Sequence, residues 1–230
     1  MKKDVIIACD FDSKEKLFAF LASMGELKPF LKVGMELYYK EGADLVLDLK
    51  ARGYKVFLDL KLHDIPNTVY KAMKVVVRLG ADIINVHAAG GVEMMKAAAR
   101  AVSELEKAEK PLVIAVTQLT SIDAETLKKE LLISESLEYT VKKYAENAAS
   151  AGLSGVVCSP LEAPLIKSMG LVSVTPGIRL SGDAAGDQKR ITTPKEAKSL
   201  GSDYIVVGRS ITGAGDPKAA YLACVKEFLG

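Results

Sequence analysis

The chain has 230 residues, 31 basic against 29 acidic, and a formal net charge of +2. That near balance, with no basic stripe interleaved with aromatics, argues against nucleic acid as a partner, and no apolar run approaches the length of a membrane span. With 49% hydrophobic and 26% charged residues, the composition is that of a globular chain with ample core, at a length common for one α/β barrel.

Strand-like and helix-like segments alternate from end to end. The opening Met1–Asp10 is basic and then apolar. Its apolar run stops at Asp10, too short for a signal-peptide core, so a cytoplasmic protein is expected. The first strand is expected at Val5–Cys9, with a helix opening at Asp12-Ser13, an N-cap pair. The second is Phe30–Val33, ended by Gly34 and followed by a helix to about Arg52. The third is Lys55–Leu60, followed by a helix from Pro66 to Leu79. Asp82–His87 reads as the fourth, with an Ala-rich helix from Val92 to Glu106 behind it. Pro111–Val116 is the fifth, followed by helical pieces at Ala124–Leu132 and Leu137–Ser150. Ser154–Cys158 is the sixth, with a short helix at Leu161–Met169. Leu171–Thr175 is the seventh, then a long polar stretch and a helix at Pro194–Leu200. Tyr204–Val207 is the eighth, and Asp216-Pro217 opens a closing helix to Phe228.

Eight βα units without a linker or a change of composition imply a parallel sheet. They favour a closed (β/α)₈ TIM barrel forming a single domain over residues 1–230. The runner-up is an open doubly wound sheet, which would carry a Gly-rich loop after its first strand. Here that position reads Asp10-Phe11-Asp12-Ser13. Cys9, Cys158 and Cys224 show no metal-ligand spacing and are expected to be buried, reduced thiols. With His63 and His87 as the two histidines, a His-based zinc site is not expected.

Barrels of this kind build their sites at the C-terminal ends of the strands. There the third strand matters most, in Phe57-Leu58-Asp59-Leu60-Lys61-Leu62-His63-Asp64-Ile65-Pro66-Asn67-Thr68. Alternation puts Asp59 and Lys61 on one face and Leu58, Leu60 and Leu62 on the other. Asp64 follows where Asp-Ile-Pro signals the strand end. An isolated Asp-x-Lys-x-x-Asp is more often a structural ion pair. With Lys32 on the neighbouring strand, an alternating Lys32-Asp59-Lys61-Asp64 array is the better account, since balanced charge tolerates exclusion of water. Asp10, Asn85, His87, Thr117, Thr120, Pro176, Gly177, Arg179, Gly208 and Arg209 fall at other strand ends. His87 reads as a supporting residue rather than a ligand contact.

Phosphate binding is expected after the seventh and eighth strands, where Gly208 lets the backbone approach an anion and Arg209 offers a forked cation. The stretch Thr175–Arg190 is too rich in Gly, Asp and Ser to build core. Its place beside this site, with Arg179 and Gln188, favours a lid over a disordered connection.

The run Asp59-x-Lys61-x-x-Asp64-Ile65-Pro66-x-Thr68 resembles the signature of the orotidine 5'-monophosphate decarboxylases. The resemblance extends along essentially the whole chain. It takes in Ala8-x-Asp10, Leu31-Lys32-Val33-Gly34, Val116-Thr117-Gln118-Leu119-Thr120-Ser121 and Thr175-Pro176-Gly177-Ile178-Arg179. It ends with Gly186-Asp187-Gln188-Lys189-Arg190 and Val207-Gly208-Arg209, and no motif position departs from the pattern. It implies conversion of orotidine 5'-monophosphate to UMP and carbon dioxide without metal or cofactor. By the same resemblance Lys61 protonates C6, Asp59 lies against the departing carboxylate, and Lys32 and Asp64 complete the array. Asp64, Ile65 and Thr68 would reach the neighbouring subunit's ligand, which implies a homodimer. Asp10 and Lys32 are expected at the ribose and Thr120 at the pyrimidine. Gln188, Gly208 and Arg209 are expected at the phosphate, with Pro176 and Arg179 in the adjoining loop. Sugar-phosphate decarboxylases and hexulose-phosphate synthases also resemble the chain through Asp-x-Lys-x-x-Asp, but use magnesium. The Asp64-Ile65-Pro66-x-Thr68 continuation and Gln188 favour the nucleotide enzyme. A non-catalytic nucleotide binder would have no need of the charged array.

Overall fold

The structure, a computed structural model, describes residues 3–106, 110–180 and 191–230. Its strands are β1 (Asp4–Ala8), β2 (Phe30–Gly34), β3 (Val56–Leu62), β4 (Ile83–His87), β5 (Leu112–Val116), β6 (Gly155–Val157), β7 (Val172–Ile178) and β8 (Tyr204–Val207). They pair in sequence order, all parallel, and β8 closes on β1. This is the (β/α)₈ barrel expected from the alternation. The helices are α1 (Lys14–Ser23), α2 (Met35–Ala51), α3 (Pro66–Val76), α4 (Gly91–Ser103), α5 (Ala124–Lys129), α6 (Leu137–Ser150), α7 (Ala163–Ser168), α8 (Pro194–Leu200), α9 (Arg209–Thr212) and α10 (Pro217–Leu229). No helix among the described residues is long and apolar enough to cross a membrane.

The strands are apolar on both faces because each face meets a different core. Inside the barrel, Ile6, Ala8, Phe30, Phe57, Ile83, Ile114, Val174 and Val206 form a packed plug, with the half-buried Val157 of β6 against it. Outside it, residues such as Ile7, Leu31, Leu58, Ile84 and Val207 pack under the helices with Leu17, Leu49, Met73 and Phe228. The plug closes the lower barrel, so polar side chains gather at the upper mouth. Cys9, Cys158 and Cys224 are all buried, and burial pushes the Cys9 thiol up to about 12.

Helix starts follow local chemistry. Ser13 Oγ accepts from the Lys16 N–H, Asp216 caps α10, and Thr193 with Glu196 makes a capping box on α8. Several boundaries differ from the sequence expectation. The helix after β3 tightens to a 3₁₀ turn over Val77–Leu79. The helix expected to reach Leu132 stops at Lys129, and Leu132 has a φ of 57°. Two strands run longer than expected, β3 to Leu62 and β7 to Ile178. In β7 the pairing with β8 shifts register between Thr175 and Ile178, which accommodates Pro176 without the N–H a regular ladder would need. Pro176 and Gly177 therefore belong to a strand end rather than to the loop the sequence suggested.

Gly155 shows how closely the barrel wall is packed. It pairs with Val172 across β6 and β7, and a Cβ there would overlap the Val172 carbonyl oxygen and lie 2.8 Å from the Val172 Cβ. Gly155→Ala is expected to destabilise the fold by about 1–3 kcal/mol through overpacking. Urea unfolding measures this, and an unchanged midpoint would contradict the packing at this position.

Candidate active site

The mouth of the barrel holds a chain of alternating charges. Lys61 Nζ donates to Asp59 Oδ1 at 2.7 Å. Lys32 Nζ lies 3.4 Å from Asp59 Oδ2 and donates to Asp10 Oδ1 at 3.0 Å. Within one chain the array is therefore Asp10–Lys32–Asp59–Lys61. It grades from exposed to buried: the Asp10 side chain is 65% accessible, against 12% for Lys32 and 11% for Asp59. Gly34, at the end of β2, makes room for it. A Cβ there would stand 3.2 Å from Lys32 Nζ and 3.4 Å from Asp10 Oδ1.

Lys61 takes its place at the cost of local strain. Its φ is 51°, a left-handed conformation costing a non-glycine residue about 1–2 kcal/mol. The β3–β4 register is interrupted between Leu58 and Leu62. Its N–H is taken up by Asn85 Oδ1 at 2.8 Å, and Asn85 Nδ2 donates to Asp59 Oδ1 at 2.7 Å. Asn85, wholly buried on β4, was legible only as one polar residue at a strand end.

Burial alone would raise the Asp59 pKa. The Lys32 and Lys61 charges, with the hydrogen bonds from Lys61 and Asn85, outweigh it and hold the carboxyl below the usual range. For Lys32, burial would favour the neutral amine, but Asp59 and Asp10 prevail and raise its pKa. His87 stacks on His63, ring centroids 5.6 Å apart, and its Nδ1 is buried without a hydrogen-bond partner. Burial, then the neighbouring His63 and Lys61, lower its pKa.

Two cavities open onto the array. One, of about 250 Å³, is bounded by Phe57, Asp59, Lys61 and Thr120. The other, of about 440 Å³, is bounded by Asp10, Arg179, Gly208 and Arg209. Lys32, Pro176 and Val206 line both, so the cavities adjoin. Arg179 is mostly buried and donates to the Ile178 carbonyl at 2.9 Å, whereas Arg209 is exposed at the start of α9. Gln188 and the rest of the expected lid from Ser181 to Arg190 lie outside the described residues.

Asp64, Ile65 and Thr68 stand apart. They are exposed in this chain, Ile65 at 67%, and Asp64 Oδ1 accepts from the Ile65 N–H at 2.7 Å. Asp10 extends the array at its Lys32 end, whereas Asp64, expected beyond Lys61, is exposed at the turn after β3 in the single chain. Pro66 starts α3 immediately after this turn, carrying Asp64 outward.

The array has a pH signature. Because folding lowers the Asp59 pKa, its stabilising contribution is complete above the ordinary carboxylate value of about 3.9 and is lost as pH falls through the folded value. Asp59→Asn takes the carboxylate partner from Lys61 and leaves Lys32 with Asp10 alone, and is expected to cost about 3–5 kcal/mol at neutral pH. The gap in urea-unfolding free energy between wild type and variant is expected to narrow on acidification below about pH 4. A constant gap down to about pH 2 would contradict the electrostatic account.

Comparison with known proteins shows the family of the chain. Residues 3–224 match the profile of the orotidine 5'-phosphate decarboxylase / HUMPS family. The chain is 50% identical over 235 residues to the orotidine 5'-phosphate decarboxylase of Bacillus cereus (strain Q1), covering 100% of this chain and 99% of that protein. It is 51% identical to the enzyme of that name from Geobacillus thermodenitrificans, covering 100% and 98%. The crystal structure of orotidine 5'-phosphate decarboxylase from Lactobacillus acidophilus superposes with a TM-score of 0.89 at 43% identity, each chain covered in full. The chain with this charged barrel mouth belongs to the orotidine 5'-phosphate decarboxylase / HUMPS family.

Proposed function

We propose that this protein decarboxylates orotidine 5'-monophosphate to UMP and carbon dioxide in de novo pyrimidine biosynthesis, as a single catalytic domain needing neither metal nor organic cofactor. The observation that carries this reading is the Asp10–Lys32–Asp59–Lys61 array opening onto two joined cavities. The inner cavity suits a pyrimidine beside Lys61 and Thr120. The outer one suits a ribose near Asp10 and Lys32 and a phosphate near Gly208 and Arg209, with Pro176 on the wall shared by the two cavities and Arg179 on the outer one. Gln188 is assigned to the phosphate by resemblance alone.

The chemistry follows from the charges. When the bond from C6 to the carboxylate breaks, carbon dioxide leaves and the electron pair stays on C6. No cofactor spreads that charge, so a fixed cation must stabilise it. Lys61 is that cation and gives C6 a proton, yielding UMP. Asp59 orients Lys61 and presents negative charge towards the departing carboxylate. Its oxygens are already engaged by Lys61, Asn85 and Lys32, an environment built for ammonium groups rather than for a divalent ion. Binding energy from the remote phosphate can be spent on excluding water and aligning the pyrimidine.

The working site is a homodimer in this proposal, with Asp64, Ile65 and Thr68 reaching the partner's ligand. Exposure of the whole turn from 63 to 68 in the single chain supports it. The buried thiols suit the reducing cytoplasm.

Ultraviolet absorbance of orotidine 5'-monophosphate, followed with purified protein and excess chelator, is the direct test. Full turnover is expected, and Lys61→Ala is expected to lose at least about 10³-fold in kcat. Loss of turnover on chelation, restored by magnesium, would favour the magnesium-dependent relatives. Mixing Asp64→Ala with Lys61→Ala subunits is expected to restore part of the activity, because a mixed dimer retains one intact site. A mixture as inactive as either parent would refute the shared site.

A further inference from the structure

Asn85 has no exposed surface and lines neither cavity, yet its side chain holds both groups assigned to the chemistry. Its orientation follows from the partners. Asp59, as a carboxylate, can only accept and the Lys61 N–H can only donate, so the amide nitrogen must face Asp59 and the oxygen must face Lys61. The observed bonds, 2.7 Å and 2.8 Å, have that sense. Asp59 Oδ1 also accepts from Lys61 Nζ at 2.7 Å. One amide thus grips the lysine at both ends, the main chain directly and the ammonium through Asp59.

The grip answers a local problem. At Lys61 the chain leaves extended geometry and the β3–β4 ladder is interrupted. The Lys61 N–H then has no strand acceptor, and a buried donor left unpaired is unfavourable. Asn85, on the strand that would have supplied the acceptor, replaces it with a side-chain oxygen. A left-handed lysine persists only where its surroundings over-determine it. Asn85 is the group doing so.

We propose that Asn85 is the positioning residue for the decarboxylation, fixing Lys61 in its left-handed conformation and Asp59 in the orientation that aims the Lys61 ammonium. The proposal rests on the roles given above to Asp59 and Lys61. The charged groups around Asn85 are Asp59 and Lys61 of β3, with Lys32 of β2 on the far side of Asp59; His87 lies two residues along β4.

Two variants test it. Asn85→Ala removes both bonds and is expected to lower kcat about 100-fold, while Kd for UMP stays within about threefold because the phosphate end is untouched. Asn85→Asp is nearly isosteric and keeps an acceptor for the Lys61 N–H, but when ionised it sets a second carboxylate against Asp59. Protonated, it regains a donor and mimics the amide. Its kcat relative to wild type is therefore expected to climb as pH falls, a readout that a purely structural role would not produce. Folding of each variant is checked by circular dichroism, and Asn85→Asp carries the test if Asn85→Ala does not fold. A folded variant with kcat within about twofold of wild type, or an Asn85→Asp deficit equal at every pH, would overturn the proposal. Lys61→Ala is assayed alongside. If it retains turnover, the assignment of the array fails and the proposal for Asn85 fails with it; if it is inactive, the Asn85 results stand on their own.

Discussion

The structure depends on keeping one carboxylate ionised inside the mouth of a barrel. Asp59 is 8% exposed, a setting in which an isolated charge would protonate rather than persist. It stays charged because Lys32 and Lys61 flank it and Asn85 donates to it. Each lysine is in turn tolerated there because of the carboxylate. The array works as a unit, since removing Asp59 at its centre takes the carboxylate from Lys61 and one of two from Lys32. Positions on three adjacent strands are thereby tied to one another, and those strands are held rigid by the plug below and the helices around them.

That rigidity matters for the chemistry proposed. A cation stabilises a developing carbanion best when it needs no rearrangement at the moment of reaction. The barrel supplies this by building Lys32, Asp59 and Lys61 on strands rather than loops, and by holding Lys61 in a backbone conformation it would not choose alone. The parallel topology also explains how binding and bond breaking can be separated. All eight strands release their C-terminal ends on one face, so in the proposed reaction Gly208 and Arg209 after β8 would meet the phosphate while β2 and β3 hold the charges. Lys32 and Pro176 border both cavities and couple the two regions.

Much of this was legible from the order of the residues. The alternation of apolar runs with helical segments identified eight units, and Pro194–Leu200, Leu137–Ser150 and Tyr204–Val207 fall where patterning placed them. Helix caps such as Ser13 and the Asp216-Pro217 pair are local signals, acting within a turn of the residues that carry them. The pairing of Asp59 with Lys61 was legible for the same reason, because a two-residue repeat along one strand is a local property. The boundary errors at β3 and β7 have a common cause. Both strands continue through an irregular register, and a register shift depends on the neighbouring strand.

By itself, then, the sequence determined the succession of strands and helices, the two-sided apolar character of the strands, and the clustering of charge at the end of β3. Only the tertiary structure decided which charges meet. It brings Asp10, twenty-two positions before Lys32, into the array, and it turns Asp64 outward although Asp64 lies three residues from Lys61. It also singles out Asn85 from the other polar strand ends and shows why β2 ends in Gly34. These are choices among cross-strand partners, set by barrel closure and register. The forces that set them act between segments remote in the chain, whereas the periodicities read from the sequence act between neighbours.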